Sequence, residues 1–190
     1  MIKFGINLVD LAMINLKTKL SKTELKKIKT LYKRSFPKCE RKPFAMILRS
    51  CAEQKGEIYA VYKNAKFVGL CVSLISPGAV LIDYLAILPK FKAQKIGGTV
   101  LANLMQIYEN KTIFCEIEST ENLENFEKSN KFRRKRFYLK NGLFDTGIKI
   151  SLWGVKMELL SNRKNAKFDE YFKIYTYAYG ANFNPKIKQI

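Results

Sequence analysis

The sequence predicts a single α/β domain built on one mixed, mostly antiparallel, twisted sheet flanked by helices. Three observations predict it. Helical periodicity dominates the first quarter of the chain, apolar strand-like runs fill its middle, and a lysine- and glycine-rich loop joins the most apolar run to an amphipathic helix. At 190 residues the chain is about one domain long, and its 47% apolar content suffices for an independent core. No repeat, low-complexity tract or linker divides it. Residues 1–190 are therefore read as one domain, with 1–11 as an N-terminal extension and about 161–190 as a C-terminal helical segment.

The elements follow in order. Residues 12–18 (AMINLKT) read as a first strand. Ser21-Lys22-Thr23-Glu24 fits a capping box, with Ser21 as N-cap and Glu24 reaching back. Leu25, Ile28, Leu31 and Tyr32 recur at helical spacing, and Pro37 closes that helix. A second short helix follows Pro43 and is expected to bury Phe44, Ile47 and Leu48. From Glu57 the period changes: residues 57–63 (EIYAVYK) and 66–75 (KFVGLCVSLI) flank Asn64-Ala65, a two-residue hairpin signal. Ser76-Pro77-Gly78 makes the next turn. Residues 80–87 (VLIDYLAI) are a nearly continuous apolar strand, which predicts cover on both faces and a place at the sheet centre.

A lysine-rich loop then leads to a helix from about Gly98 to Tyr108, with Val100, Leu101, Leu104, Met105 and Tyr108 as its buried stripe. Residues 112–118 (TIFCEIE) give another strand. A polar, asparagine-containing loop precedes a helix near 130–141 that Gly142 ends at a C′ position. Strands near 144–151 and 153–160 and an amphipathic helix around Asp169 to Tyr179 complete the chain. That last helix, with Tyr171, Phe172, Tyr175 and Tyr177, serves either as a dimer interface or as a cap on the sheet, leaving monomer and homodimer both open.

Composition narrows the function. Histidine is absent, which removes Ser-His-Asp and Cys-His mechanisms and the commonest zinc ligand. Cys39, Cys51, Cys71 and Cys115 form no CxxC pair and no metal-ligand spacing, so no metal is expected. Scattered cysteines of this kind suit small buried hydrophobes in a reducing cytosol. The apolar opening, Met1 to Leu16, is broken by Asn7 and Asp10 and lacks a cleavage pattern, so it reads as part of the fold and the expected location is cytoplasmic. No apolar run reaches the roughly eighteen residues that a membrane span requires. The net charge of +19 makes a positive field for polyanions such as nucleotides, CoA or nucleic acid, or an evenly solvated lysine-rich surface.

The most informative stretch is Leu88-Pro89-Lys90-Phe91-Lys92-Ala93-Gln94-Lys95-Ile96-Gly97-Gly98. A helix N-terminus offers unpaired N–H groups and a positive dipole end, and so holds phosphate. Gly97 and Gly98 let the backbone approach a ligand, and Lys90, Lys92 and Lys95 add charge around the same point. The alternative is a strand-to-helix turn whose glycines serve tight packing.

This stretch resembles the CoA-pyrophosphate motif R/Q-x-x-G-x-G/A of the GNAT (N-acetyltransferase) family. Lys92 takes the Arg/Gln position, Lys95 stands where the family has its first glycine, and Gly97 takes the second. Tyr84-Leu85-Ala86-Ile87-Leu88-Pro89 resembles the family's strand and its Leu-Pro exit. Arg136-Phe137-Tyr138-Leu139-Lys140-Asn141-Gly142-Leu143 resembles the FYxxxGF helix ending, with Leu143 for the final aromatic. The interval from Lys92 to Tyr138 fits the family's spacing, and the resemblance covers roughly residues 12–160. Lys131 and Arg134 stand where the family often has asparagine and alanine.

The resemblance implies a GNAT-like sheet with a splayed central strand pair and an acetyl-CoA-dependent N-acetyltransferase, with direct transfer to an amine in a ternary complex. It implies that Lys92, Ala93, Gln94, Lys95, Ile96, Gly97 and Gly98 hold the pyrophosphate. Ala86, Ile87 and Leu88 would pair with the pantetheine arm, and Lys131 would lie along the CoA arm. Tyr138 would be the general acid that protonates the departing thiolate.

A lysine-like acceptor has a free pKa of about 10.4, so a base or a water chain must take its proton. Asp83 interrupts an apolar strand where an unpaired carboxylate would be costly, which makes it a candidate base or substrate anchor, or a structural acceptor. Glu116 and Glu118 alternate onto one face of the next strand. Glu118, nearer its C-terminal end, is the candidate base of the two, against a solvent-facing role. Cys115 as a nucleophile would need a lowered pKa. Lys131, Arg133, Arg134, Lys135 and Arg136 surround one helix and read as a solvated face with some residues free for CoA, an acidic acceptor or nucleic acid. Two other readings stay open: a basic nucleic-acid-binding protein, and a GNAT-fold sensor that binds acyl-CoA without turnover.

Overall fold

The computed structural model describes residues 14–121, 129–180 and 186–190. The expected N-terminal extension, the first two residues of the first strand and most of the loop after residue 118 lie outside the described residues. The chain runs β1 (Ile14–Lys17), α1 (Lys22–Ser35), a 3-10 turn (Lys38–Glu40), α2 (Phe44–Ala52), β2 (Gly56–Lys63), β3 (Lys66–Ile75) and β4 (Ala79–Ile87). A second 3-10 turn (Pro89–Phe91) precedes α3 (Ile96–Ile107), β5 (Thr112–Glu118) and α4 (Asn130–Lys140). Then come β6 (Phe144–Leu152), β7 (Val155–Ser161), α5 (Phe168–Tyr179) and β8 (Ile187–Gln189).

All described strands join one sheet in the order β1-β2-β3-β4-β5-β7-β6-β8, antiparallel throughout except between β4 and β5. That parallel pair is short. It runs from Ala79 opposite Thr112 to Ile82 opposite Cys115 and then stops, while β4 continues along β3 to Ile87 and β5 along β7 to Glu118. The two central strands therefore part company in mid-sheet. The register of β4 against β3 also skips Asp83, with Ile82 facing Ser73 and Tyr84 facing Val72. A bulge at the point of separation re-aims the side chains beyond it.

One sheet face packs on α3 and α4 through Val80, Ile82, Val100, Leu101, Leu104, Cys115 and Tyr138. The other packs on α5 through Leu81, Phe114, Tyr171 and Tyr175, and on α1 and α2 through Ile28, Tyr32, Ile47 and Ala60. Buried residues alternate between these clusters along β4, as a central strand covered on both faces requires. Helix α5 caps the sheet with Tyr171, Ile174 and Tyr175, which have no exposed surface, while Tyr177 stands exposed on its outer side.

Local chemistry explains the element ends. Ser21 Oγ accepts the Glu24 N–H while the Glu24 carboxylate accepts the Ser21 N–H, the reciprocal box that starts α1. Asn64 and Ala65 adopt φ of 47° and 62°, the left-handed pair that a tight hairpin needs to match strand twist. In α2 the expectation needs correction: Ile47 is buried, Phe44 only partly, and Leu48 is exposed because the sheet meets a single line of a helix just over two turns long. Strand β8, absent from the sequence reading, is three residues laid on β6; its polar Lys-Gln ending carries no strand pattern.

Candidate active site

A single cavity of about 1650 Å³ follows the parting of β4 and β5 across the sheet. One half is formed by the loop before α3 and by α4; the other by the segment between α1 and α2, the β6–β7 turn and the buried ends of β4 and β5.

In the first half, Lys92 is extended and Ala93 and Lys95 are left-handed, with φ of 61° and 59°. Helix α3 begins at Ile96 rather than Gly98, with Lys95 as its N-cap and no side-chain bond from it. The position where the family motif has its first glycine is thus one that disfavours a side chain, and Lys95 occupies it at a conformational cost. Lys92, Ala93, Lys95, Ile96, Gly97 and Gly98 all line the cavity, together with Ala86, Ile87 and Leu88. Gln94 does not: its amide accepts from Lys63 Nζ at 2.9 Å and donates to the Lys90 carbonyl at 3.2 Å, bracing the loop. The two glycines face α4. A Cβ on Gly97 would meet the Phe137 ring at 3.1 Å, and one on Gly98 would collide with the Asn141 side chain. They let α3 and α4 approach each other beside the loop.

The second half is built around a buried ion pair. Lys42 Nζ lies 2.6 Å from Asp83 Oδ1, with both side chains under 5% exposed. It also donates to Tyr175 Oη at 3.2 Å and sits over the rings of Tyr84, Trp153 and Tyr175 at 5.4, 5.8 and 5.0 Å. Tyr175 and Tyr171, one turn apart on α5, both donate to Glu116 Oε1, at 2.7 and 2.6 Å. Glu116 Oε2 has no hydrogen-bond partner among the described residues and is not sealed from the cavity that Glu116 lines. Asp83 Oδ2, by contrast, is both buried and unpartnered. Burial pushes the Glu116 carboxyl up, helped by the Asp83 charge and opposed by Lys42 and the two tyrosines. Burial likewise raises Asp83 against the pull of Lys42. With one ammonium between two buried carboxylates, a proton on one of the carboxylates is favoured.

Tyr138 faces the same cavity from α4. It is 8% exposed, stacks edge-on against Phe137 with centroids 5.2 Å apart, and its hydroxyl has no partner among the described residues. Burial raises its pKa, so it stays protonated and able to donate. Glu118 lines the mouth and is held by Lys131 at 2.9 Å and Arg134 at 3.9 Å. Lys131 thereby turns to Glu118 and does not line the cavity. Cys115 is fully buried and its thiol is pushed up by burial, which disfavours a thiolate nucleophile.

The fold therefore brings Tyr138, Asp83, Glu118, Ala86 to Leu88 and the glycine loop to one cavity, and leaves Gln94 and Lys131 outside it. Sequence reasoning missed Lys42, Trp153 and the tyrosines of α5, and passed over Glu116 for Glu118. Only Glu116 carried a signal, as a carboxylate between the apolar Cys115 and Ile117 of β5.

A parallel strand pair that opens onto a helix N-terminus defines a class of α/β domain able to clasp an extended ligand between two strands. It is the fold of the GNAT acetyltransferases. A Bacteroides thetaiotaomicron protein assigned to the GNAT acetyltransferases superposes with a TM-score of 0.67 at 17% identity, over 89% of this chain and 99% of that one. The Escherichia coli ribosomal-protein-S18-alanine N-acetyltransferase does so with 0.59 at 14% identity, over 82% and 100%. Arabidopsis thaliana Naa50, in complex with the bisubstrate analogue CoA-Ac-MVNAL, gives 0.60 at 18% identity, over 79% and 98%. No protein-family model and no curated protein matches the sequence. Among the described residues no helix is long and apolar enough to cross a membrane.

Proposed function

We propose that the chain is an acetyl-CoA-dependent N-acetyltransferase that moves an acetyl group directly to an amine within a ternary complex. The observation that carries this reading is the continuity of the cavity: it joins a basic loop at a helix N-terminus to an unpartnered phenol and an unpartnered carboxylate oxygen across a parted strand pair. Structural neighbours solved with CoA analogues add to the support.

In this reading the pyrophosphate rests on the free N–H groups of Ile96 to Gly98, with Lys92 and Lys95 supplying charge. The pantetheine arm runs along Ala86 and Ile87, beyond the point where β5 stops pairing with β4, and passes Leu88, whose own N–H and C=O already bond Val68 and Phe91. Its thioester then lies beside the bulge at Asp83, a residue that exposes backbone to the cavity while its side chain stays 2% exposed. A main-chain N–H there would stabilise the oxyanion. Glu116 Oε2, open to the cavity and braced by Tyr171 and Tyr175, takes the amine proton directly or through water. Tyr138 returns a proton to the thiolate. Asp83 holds Lys42 in place, and Glu118 shapes the mouth with Lys131 and Arg134.

Thermal unfolding with acetyl-CoA, against ATP at low and moderate salt, tests donor binding. A salt-tolerant rise specific to acetyl-CoA is expected, followed by release of free CoA when amine acceptors are screened. A shift matched by ATP and erased by salt would reduce the loop to a basic turn. Donor binding with no acceptor turned over, unchanged by Tyr138→Phe, would favour the sensor.

A further inference from the structure

We propose that Lys42 is itself an acetyl acceptor, placed to take an acetyl group from the donor bound in the same cavity. This rests on the acetyltransferase reading. Four lysines line the cavity: Lys92, Lys95 and Lys140 are exposed at its rim, whereas Lys42 is buried inside it. Its segment, between the first 3-10 turn and α2, forms the wall opposite the donor loop. Its Nζ is 2.6 Å from the carboxylate of the bulge residue, where β4 and β5 begin to part. A thioester carried along Ala86 to Leu88 toward that bulge arrives beside this nitrogen. Three rings and the Tyr175 hydroxyl fix the ammonium there, so the reaction would be intramolecular and would gain from the high effective concentration of an oriented pair.

The proton path is built in. Lys42 passes one proton along its hydrogen bond to Asp83, whose second oxygen is unpartnered and whose burial favours the protonated form. The freed lone pair attacks the thioester carbonyl carbon; the N–C bond forms and the C–S bond breaks. Tyr138 protonates the departing thiolate and is reprotonated by the second nitrogen proton. The ammonium and the Asp83 carboxylate become a neutral amide beside a neutral carboxyl, so that pair loses both charges together. The acetyl group then fills the space where an external amine would bind, so modification would switch the enzyme off.

The test is peptide mass mapping of the full chain incubated with acetyl-CoA and no amine, at two protein concentrations. Uncatalysed acetylation favours exposed lysines. Lys42 is therefore expected to be acetylated ahead of Lys92, Lys95 and Lys140, at a first-order rate independent of protein concentration. The Lys42→Arg variant keeps the cation and should lose this fast phase while unfolding at a similar temperature. Tyr138→Phe should slow labelling by the same factor as turnover. If the exposed lysines are labelled first while acetyl-CoA stabilises the protein and amines are turned over, the Lys42 assignment falls and the enzyme reading stands. If acetyl-CoA neither stabilises the protein nor is consumed, the enzyme reading falls, and the Lys42 assignment with it.

Discussion

The two halves of the cavity are made from the same kinds of residue and work by opposite physics. In the donor half, lysines stand in water around a helix end, where each charge is screened and contributes little to stability. In the acceptor half, a lysine, two carboxylates and two tyrosines are buried together, and each one's charge depends on the others. The exposed lysines of the donor half can be altered without loss of the fold. The acceptor half is part of the core, so its chemistry and its stability cannot be separated cleanly.

The largest expected effects fall on the two unpartnered groups, one in each half. Glu116→Gln and Tyr138→Phe should each lower kcat by about 10²–10⁴, the range for one general acid or base, with acetyl-CoA binding retained in thermal unfolding. A base must be deprotonated to act, and burial raises the Glu116 carboxyl above its ordinary value of 4.5. Activity should therefore fall as pH drops through a point above the usual carboxylate range, and the residual activity of Glu116→Gln should lack that acid limb. A limb unchanged in the variant would assign the proton to another group.

The next largest effect sets one half directly against the other. Asp83→Ala leaves the Lys42 ammonium buried without its counter-charge, and should destabilise the fold by about 3–5 kcal/mol. Lys92→Ala should change stability by no more than about 0.5 kcal/mol while raising the KM for acetyl-CoA, most of all at low salt. Chemical denaturation and donor-dependent kinetics separate the two. Equal stability losses would show that the loop is as much a part of the core as the ion pair.

The same contrast explains what could be read from the sequence. The donor half is local: strand, loop, glycines and helix are contiguous from Tyr84 to Tyr108, so motif and periodicity revealed it. The order of elements along the chain and the capping box at Ser21 were legible for the same reason, since each depends on near neighbours, whereas the placing of β7 beside β5 and of β8 beside β6 was not. The acceptor half gathers Lys42, Asp83, Glu116, Trp153, Tyr171 and Tyr175 from five separate elements and segments. Nothing near Lys42 or Tyr175 in sequence announces a buried charge network. Even Asp83, noticed as a carboxylate in an apolar strand, had no visible partner until the fold brought Lys42 to it.

A smaller effect probes the packing within the donor half, where α3 meets α4. A Cβ at Gly98 would run into the Asn141 side chain, which is pinned by its hydrogen bond to the Phe137 carbonyl at 2.7 Å. Gly98→Ala should destabilise by about 1–3 kcal/mol through overpacking of α3 against α4. It should also disturb Tyr138, three residues before Asn141 on the same helix, so kcat should fall along with stability.

The smallest effect is the most informative about the donor half. Lys95 holds a left-handed conformation, φ of 59°, at the motif position the family gives to glycine. A side chain there costs about 1 kcal/mol or somewhat more, and glycine returns part of that as unfolded-state entropy. Lys95→Gly should therefore stabilise by about 0.5 kcal/mol, or a degree or two in Tm. Its effect on the donor separates backbone from charge. If the N–H groups do the binding, the KM for acetyl-CoA should stay level or fall, with little change in its salt dependence. If this chain has exchanged glycine geometry for lysine charge, the KM should rise and the salt dependence should flatten, because one screened cation has been removed.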